Sequence, residues 1–449
     1  MTKLREKYGI LTATAMVVGS VIGSGVFFKA ESVSRITQGD AASAIAAWLI
    51  GGTVMMLCLL SFACITKSCG TAGSLVGIAE RTVGERFSYC TGWFMATVYY
   101  PTLVSVLAWL SARYTLLFFG MEDYGGGLCM LLSCIYLIMS FAQNALFPGF
   151  SGKFQIVTTV AKLVPLVLMI LFGVIKGSMS GTLAGNISAQ GHINGASSGI
   201  FPAVVATLFA YEGWITATSI GAEIKNSRRN LPLALIFGGI LVTAIYVLYY
   251  VGILGAVSDE VLINYGADGI KMAFASILGN VAATMLSAFV AVSCLGALNG
   301  IMMGCGRAMY ELSLTGNGPA PKIFSQIMPH CGMPVASFVA GLVLGVVWLF
   351  FLFGAQISQT PLFASFSFDS SELPVVTVYA LYIPIFCMFI KKEKNLKNIL
   401  ICAAGTGACI FTVICGVIAH GRDVINYLFA FSAIMLAGWA FYSHKKKRL

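Results

Sequence analysis

Apolar residues run in long stretches along this chain, and polar or charged positions are confined to short breaks between them. A helix needs roughly 20 apolar residues to cross the hydrocarbon core of a bilayer. Runs of that length predict twelve spans, near residues 9–30, 42–66, 87–117, 127–147, 152–176, 200–222, 231–257, 272–306, 335–354, 372–390, 397–418 and 424–443. The eighth run is long enough to project beyond the membrane. Residues 354–372 read either as a loop or, in part, as the outer end of the tenth helix. Such continuous runs lack the alternation of barrel strands, so the expected fold is all-α and polytopic.

Composition supports the same picture. Of 449 residues, 58% are hydrophobic and 10% charged, and the mean hydropathy is +0.89. A soluble domain carries about 25% charged residues to wet its surface. The net charge of +10 raises the question of nucleic acid. However, Lys and Arg form short clusters between apolar runs, such as Lys391, Lys392, Lys394 and Lys397, and no basic stripe with interleaved aromatics occurs. The expected partner is therefore the lipid bilayer and not a nucleic acid. Most of the 13 cysteines lie inside apolar runs and no C-x-x-C occurs, so they read as buried, reduced side chains. The 4 histidines are far apart, and no metal or cofactor is expected. The first apolar stretch is long and lacks a convincing cleavage site, so it reads as a retained span.

Twelve spans put both termini on one side. With that side taken as cytoplasmic, twenty of the 27 Lys and Arg fall inside. Six fall outside: Lys29, Arg35, Arg113, Lys176, Lys271 and Arg422. This bias sets the orientation. The remaining one, Lys162, stands ten residues after Gly152, about 15 Å along a helix, which is half the hydrocarbon thickness. Snorkelling covers part of that distance, so Lys162 is expected to point into the bundle.

Two further positions break the membrane rule. Span 1 contains Gly19-Ser20-Val21-Ile22-Gly23-Ser24-Gly25-Val26-Phe27-Phe28, where glycines weaken a helix by about 1 kcal/mol each relative to Ala. Small-residue helix packing is the other reading of that string. Span 6 contains Leu208-Phe209-Ala210-Tyr211-Glu212-Gly213-Trp214. An ionised carboxylate at mid-helix costs about 2.5–3.5 kcal/mol, so Glu212 faces a wet pathway, is protonated or has a partner. Its alternative is a structural carboxyl bonded to nearby backbone. Spans 1 and 6 each open a set of five helices, and matching interruptions in corresponding helices point to an inverted-repeat transporter with its site at the midplane. The expected organisation is one transporter domain over 1–449. Its first repeat covers about 9–176, its second about 200–390, and two trailing helices cover about 397–443.

At this point the residues resemble a known family. Gly23-Ser24-Gly25-Val26-Phe27 is similar to the G-S-G-[IV]-F of the amino acid–polyamine–organocation superfamily. Phe209-Ala210-Tyr211-Glu212-Gly213-Trp214 resembles the F-A-Y-x-G-W of its L-type amino acid transporter branch. Glu223-Ile224-Lys225-Asn226, with Arg228, Arg229, Asn230, Leu231 and Pro232, resembles the superfamily's loop after helix 6. Val292-Ser293-Cys294, Asn299-Gly300 and Arg307 resemble that branch's helix 8. The resemblance implies a five-plus-five inverted-repeat fold and sodium-independent amino acid transport, usually by exchange. Animal members carry a cysteine after helix 3 that bonds an ancillary glycoprotein. Phe119 to Gly127 contains none, so no disulfide-linked subunit is expected and the chain resembles the bacterial members. Many L-type members have Gly at the position of Glu212, and the acidic form resembles bacterial serine/threonine exchangers.

A broken helix exposes backbone ends of opposite polarity. The N–H groups around Ser24, Gly25 and Val26 suit an α-carboxylate, and the carbonyls of Ile22, Phe209 and Ala210 suit an α-ammonium. The expected substrate site is Ile22, Gly23, Ser24, Gly25, Val26, Phe209, Ala210, Glu212 and Gly213. The resemblance further implies Phe209 as a gate, Tyr246 as a polar contact that helps closure, and Lys162 in place of a mobile sodium ion, bonding carbonyls near Gly23 and a helix 8 hydroxyl such as Ser293. A Lys162–Glu212 pair is the competing reading. The resulting expectation is a plasma-membrane exchanger of small or medium neutral L-amino acids with cytoplasmic termini. A proton-coupled importer using Glu212 is the alternative. No nucleotide loop, metal cluster or catalytic triad supports an enzyme.

Overall fold

A computed structural model describes residues 9–23, 25–69, 74–121, 126–188, 199–215, 224–265, 267–314, 316–358, 362–363 and 366–446. In chain order the helices are α1 (Ile10–Val21), α2 (Gly25–Ile36), α3 (Ala41–Cys69), α4 (Leu75–Thr82) and α5 (Glu85–Phe118). Next come α6 (Gly127–Leu146), α7 (Pro148–Ser180), α8 (Thr182–Ser188), α9 (Ile200–Ala210) and α10 (Ser227–Ala256). After these come α11 (Asp259–Tyr265), α12 (Ala267–Leu278), α13 (Asn280–Leu314) and α14 (Pro321–Phe324). The last four are α15 (Val335–Ile357), α16 (Leu373–Lys392), α17 (Leu396–His420) and α18 (Asp423–Lys446). Among the described residues no strand forms, and the isolated bridge between Met328 and Met333 closes a turn.

Among the described residues, 10 helices are long and apolar enough to cross a membrane. The first and sixth expected spans are not among them, because each is interrupted. α1 and α2 hold 12 residues each, about 18 Å per piece at the helical rise, so neither crosses alone. α9 stops after 11 residues, and helix resumes at Trp214 beyond a turn over 211–213.

Two features depart from the sequence reading, the eighth run and Lys29, and the structure decides a boundary that the reading left open. The eighth run is not continuous: Gly279 takes a left-handed φ of +84° and separates α12 from the spanning α13. Residues 366–372 lie outside the tenth helix and end in a turn over 370–372, where Asp369 Oδ1 accepts hydrogen bonds from the backbone N–H of Ser371 (2.7 Å) and Glu372 (2.8 Å). Lys29, counted above as an external charge, is buried inside α2 and only 4% exposed. A count of basic residues at span ends does not distinguish a loop charge from one enclosed by neighbouring helices.

One helix shows how the bilayer-facing surface is built. Ile156, Val160, Val164 and Val167 of α7 are exposed along one face, while Thr158, Lys162 and Leu166 on the other are buried. In a bilayer the exposed stripe faces lipid. α7 also packs closely on α10, where an added Cβ at Gly173 would lie 2.3 Å from the Gly252 carbonyl oxygen. α18 lies at the periphery and is fastened by Tyr89 and Trp93 of α5, which donate to the carbonyls of Gly438 and Ile434 (each 2.8 Å).

Candidate functional site

Both interruptions lie at the same place. α1 closes with the Ile22 N–H on the Val18 carbonyl (2.8 Å), and Ile22 is extended at ψ 103°. Ser24 lies outside the described residues, and helix restarts at Gly25. α9 ends in a turn in which Glu212 N–H reaches the Phe209 carbonyl (3.3 Å), and Gly213 takes a φ of +106°. The two breaks touch. A Cβ on Gly25 would stand 2.6 Å from Ala210 Cα, so the approach requires glycine.

Tyr246 of α10 ties the breaks together. Its hydroxyl stands 3.1 Å from the carbonyl oxygens of both Val21 and Ala210, the C-terminal ends of the two first half-helices. Trp48 and Tyr211 pack on its ring, with centroids 5.6 and 4.9 Å away, and the Tyr211 hydroxyl donates to the Trp48 carbonyl (2.9 Å). The α2 end remains open to the site. Its first N–H groups, at Gly25 and Val26, carry the positive end of a helix dipole.

A cavity occupies the gap. Gly23, Gly25, Phe209, Ala210, Glu212 and Gly213 line it, so six of the residues singled out from sequence come together. Ile22 and Val26 are buried beside it and are not among its walls. The opposite wall comes from Leu103 and Leu107 of α5, Gln155 of α7, and Ala297, Gly300 and Ile301 of α13. Sequence reasoning missed these. Leu103 and Leu107 are ordinary apolar residues in an apolar run, and nothing local marks them. The cavity also reaches Gly19, so it extends toward the end of the bundle where α1 and α7 begin.

Glu212 does not meet Lys162. Tyr99 of α5 donates a 2.5 Å hydrogen bond to Glu212 Oε1. The Gly213 N–H also donates to the carboxyl, and Tyr100 of α5, Tyr379 and Tyr382 of α16 and Cys58 of α3 feel its charge. A π-helical stretch, Met95–Tyr99, precedes Pro101, a distortion common near functional sites. Pro101 has no N–H to offer the Thr97 carbonyl four residues back, and Trp348 Nε1 donates there instead (2.9 Å).

Lys162 is 1% exposed and donates to the Gly19 carbonyl in α1 (2.6 Å). The acceptor thus lies one turn before the position expected near Gly23. Ser293 is fully buried, but its hydroxyl makes no hydrogen bond among the described residues. The expected Lys162–Ser293 contact does not form, nor does the Lys162–Glu212 pair. A second polar group was not anticipated as a cluster: Asn299 Oδ1 accepts from Asn144 (2.9 Å), Ser151 (3.0 Å) and Gln143 (3.1 Å), and its amide donates to Gln155 Oε1 (3.1 Å). This knot joins α6, α7 and α13 at the end of the cavity lined by Gly19, Gln155 and Gly300. Among the described residues no set of three or more His, Cys, Asp or Glu side chains could hold a metal ion.

Residues 8–440 match the amino acid permease family. The chain is 28% identical over 392 residues to the serine/threonine exchanger of Bacillus subtilis (strain 168), covering 87% of this chain and 84% of that one. It is 27% identical over 372 residues to the b(0,+)-type amino acid transporter 1 of Oryctolagus cuniculus, covering 82% and 74%. It is 24% identical over 372 residues to the cystine/glutamate transporter of Homo sapiens, covering 81% and 71%.

Proposed function

This chain belongs to the amino acid permease family, and from that premise we propose that it is a sodium-independent exchanger of small or medium neutral L-amino acids. The observation that carries the reading is the contact between the two helix breaks at Gly25 and Ala210, with a cavity beside them. A zwitterion fits there without a formal protein charge. Its carboxylate lies at the first N–H groups of α2, at Gly25 and Val26, and its ammonium at the carbonyl ends around Ile22 and Phe209. Phe209 closes over the ligand and Tyr246 keeps the breaks together. The matching interruptions support a five-plus-five inverted repeat, about 9–176 against about 200–390. The charge bias supports cytoplasmic termini, the likeness to a Bacillus subtilis exchanger supports a bacterial plasma membrane, and the lack of a cysteine from Phe119 to Gly127 supports action without a disulfide-linked subunit.

A specific observation favours a second reading. Glu212 is buried, bonded to the Tyr99 phenol, and it forms no ion pair among the described residues, so it suits a proton-coupled importer. Liposomes loaded with each amino acid in turn separate the two. Exchange predicts that uptake of labelled serine, leucine or arginine rises with a suitable internal amino acid. Uptake that ignores the internal content and collapses with the pH gradient selects the importer.

A further inference from the structure

One turn beyond Gly25, on the side away from the cavity's open end, α2 carries a buried ammonium. Lys29 Nζ stands 2.5 Å from Glu372 Oε1, and Glu372 Oε2 stands 3.2 Å from His420 Nε2. Three elements meet here: α2, the residue preceding α16, and the last residue of α17. The same ammonium lies 4.9 Å from the centroid of the Phe209 ring and 5.2 Å from that of Phe28, within cation–π range. Phe209 is a wall of the cavity. The cluster therefore touches the ligand site from behind.

An ion pair is a poor choice if the contact is permanent, because a buried pair is often no more stabilising than apolar residues of the same volume. It is a better choice for a contact that must part. Separated charges are rehydrated when water enters, whereas separated apolar faces are exposed at a cost. We infer that Lys29, Glu372 and His420 form the outer latch of the transport cycle, holding α2 against α16 and α17 and pinning Phe209 over the cavity. The latch rests on the transporter reading above. It is closed in this structure, whose cavity extends the other way to Gly19, Gln155 and Gly300. Lys29 acts here as a positioning residue, through Phe209.

External pH acts on the latch through His420. The charged groups facing it are Glu372, Asp369 and Lys29. Protonating the imidazole places a second cation against the Glu372 carboxylate, so an acidic exterior holds the latch shut and slows exchange.

The test uses the full chain in proteoliposomes, with KM measured separately from each side. Lys29→Gln and Glu372→Gln are expected to lower the external KM and raise the internal KM, each by about fivefold, as the population shifts toward the outward-open form. The double variant should match the singles, and Lys29→Arg should behave as the parent. Exchange by the parent should slow between external buffers of about pH 8 and about pH 5.5, and His420→Gln should remove that dependence. On purified protein, Lys29→Gln should raise deuterium uptake in residues 25–36 and leave α18 unchanged. KM values that move together or stay fixed, or unaltered uptake in 25–36, overturn the latch. If Lys29→Gln does not fold, Glu372→Gln and the His420→Gln pH arm decide. A parent protein that exchanges no amino acid overturns the functional reading, and deuterium uptake still judges the latch.

Discussion

Lys162 and Glu212 share a depth in the bundle yet solve burial differently. The lysine takes a backbone carbonyl of α1, and the glutamate takes a phenol of α5. Each bond crosses between helices far apart in sequence, so the sequence can mark the two residues as exceptional without naming their partners. Hydrogen bonds to charged groups contribute about 1.5–3 kcal/mol. Lys162→Ala removes the hydrogen bond from α7 to the Gly19 carbonyl of the broken helix and is expected to weaken substrate binding by about ten- to a hundredfold, with selectivity retained. Binding measured by substrate-induced thermal shift checks this, and an unchanged shift would sink it. Glu212→Gln keeps the shape and the capacity to accept from Tyr99 while removing the titratable group. It is expected to alter substrate preference or the dependence of transport on internal pH, with expression preserved. An unaltered profile and preference would return Glu212 to a structural role beside Tyr99.

At the scale of elements, the helix breaks were legible because glycine clusters and a mid-membrane carboxylate violate what a spanning helix tolerates. Gly25 shows why the signal is reliable: its missing Cβ leaves room for Ala210 Cα, and any larger residue must push α2 from α9. Gly25→Val is expected to abolish ligand binding while the protein still folds, since the rest of the packing is untouched. Retained ligand protection against heat would refute this. Other element features were not legible. Gly279 is one glycine in an apolar run, indistinguishable by composition from the packing glycines of α7 and α10, yet its positive φ ends a helix. The π-helical stretch in α5 likewise has no pattern beyond a nearby proline. Lys29 was legible as a charge and misplaced as a loop residue, because its partner Glu372, and the His420 that pairs with Glu372 in turn, lie more than three hundred residues away.

For the whole molecule, the link from Lys162 to α1 bears on how transport is driven. A mobile cation bound between a helix break and its surroundings stabilises one state and then leaves, and its gradient can thereby drive the cycle. An amine covalently held on α7 can make the same link to the Gly19 carbonyl but cannot leave. Three donors on one ammonium suffice to satisfy a carbonyl without an added ion. On the exchange reading proposed above, such a transporter has no sodium gradient to couple to and equilibrates one amino acid against another. The expected outcome is that replacing sodium with choline on both sides of the liposome leaves the exchange rate unchanged. The same replacement should have no effect on substrate-induced thermal stabilisation. Sodium-dependent uptake by the unmodified protein would show that an ion is bound in spite of Lys162, and the lysine would then be a structural tie between α7 and α1 and nothing more.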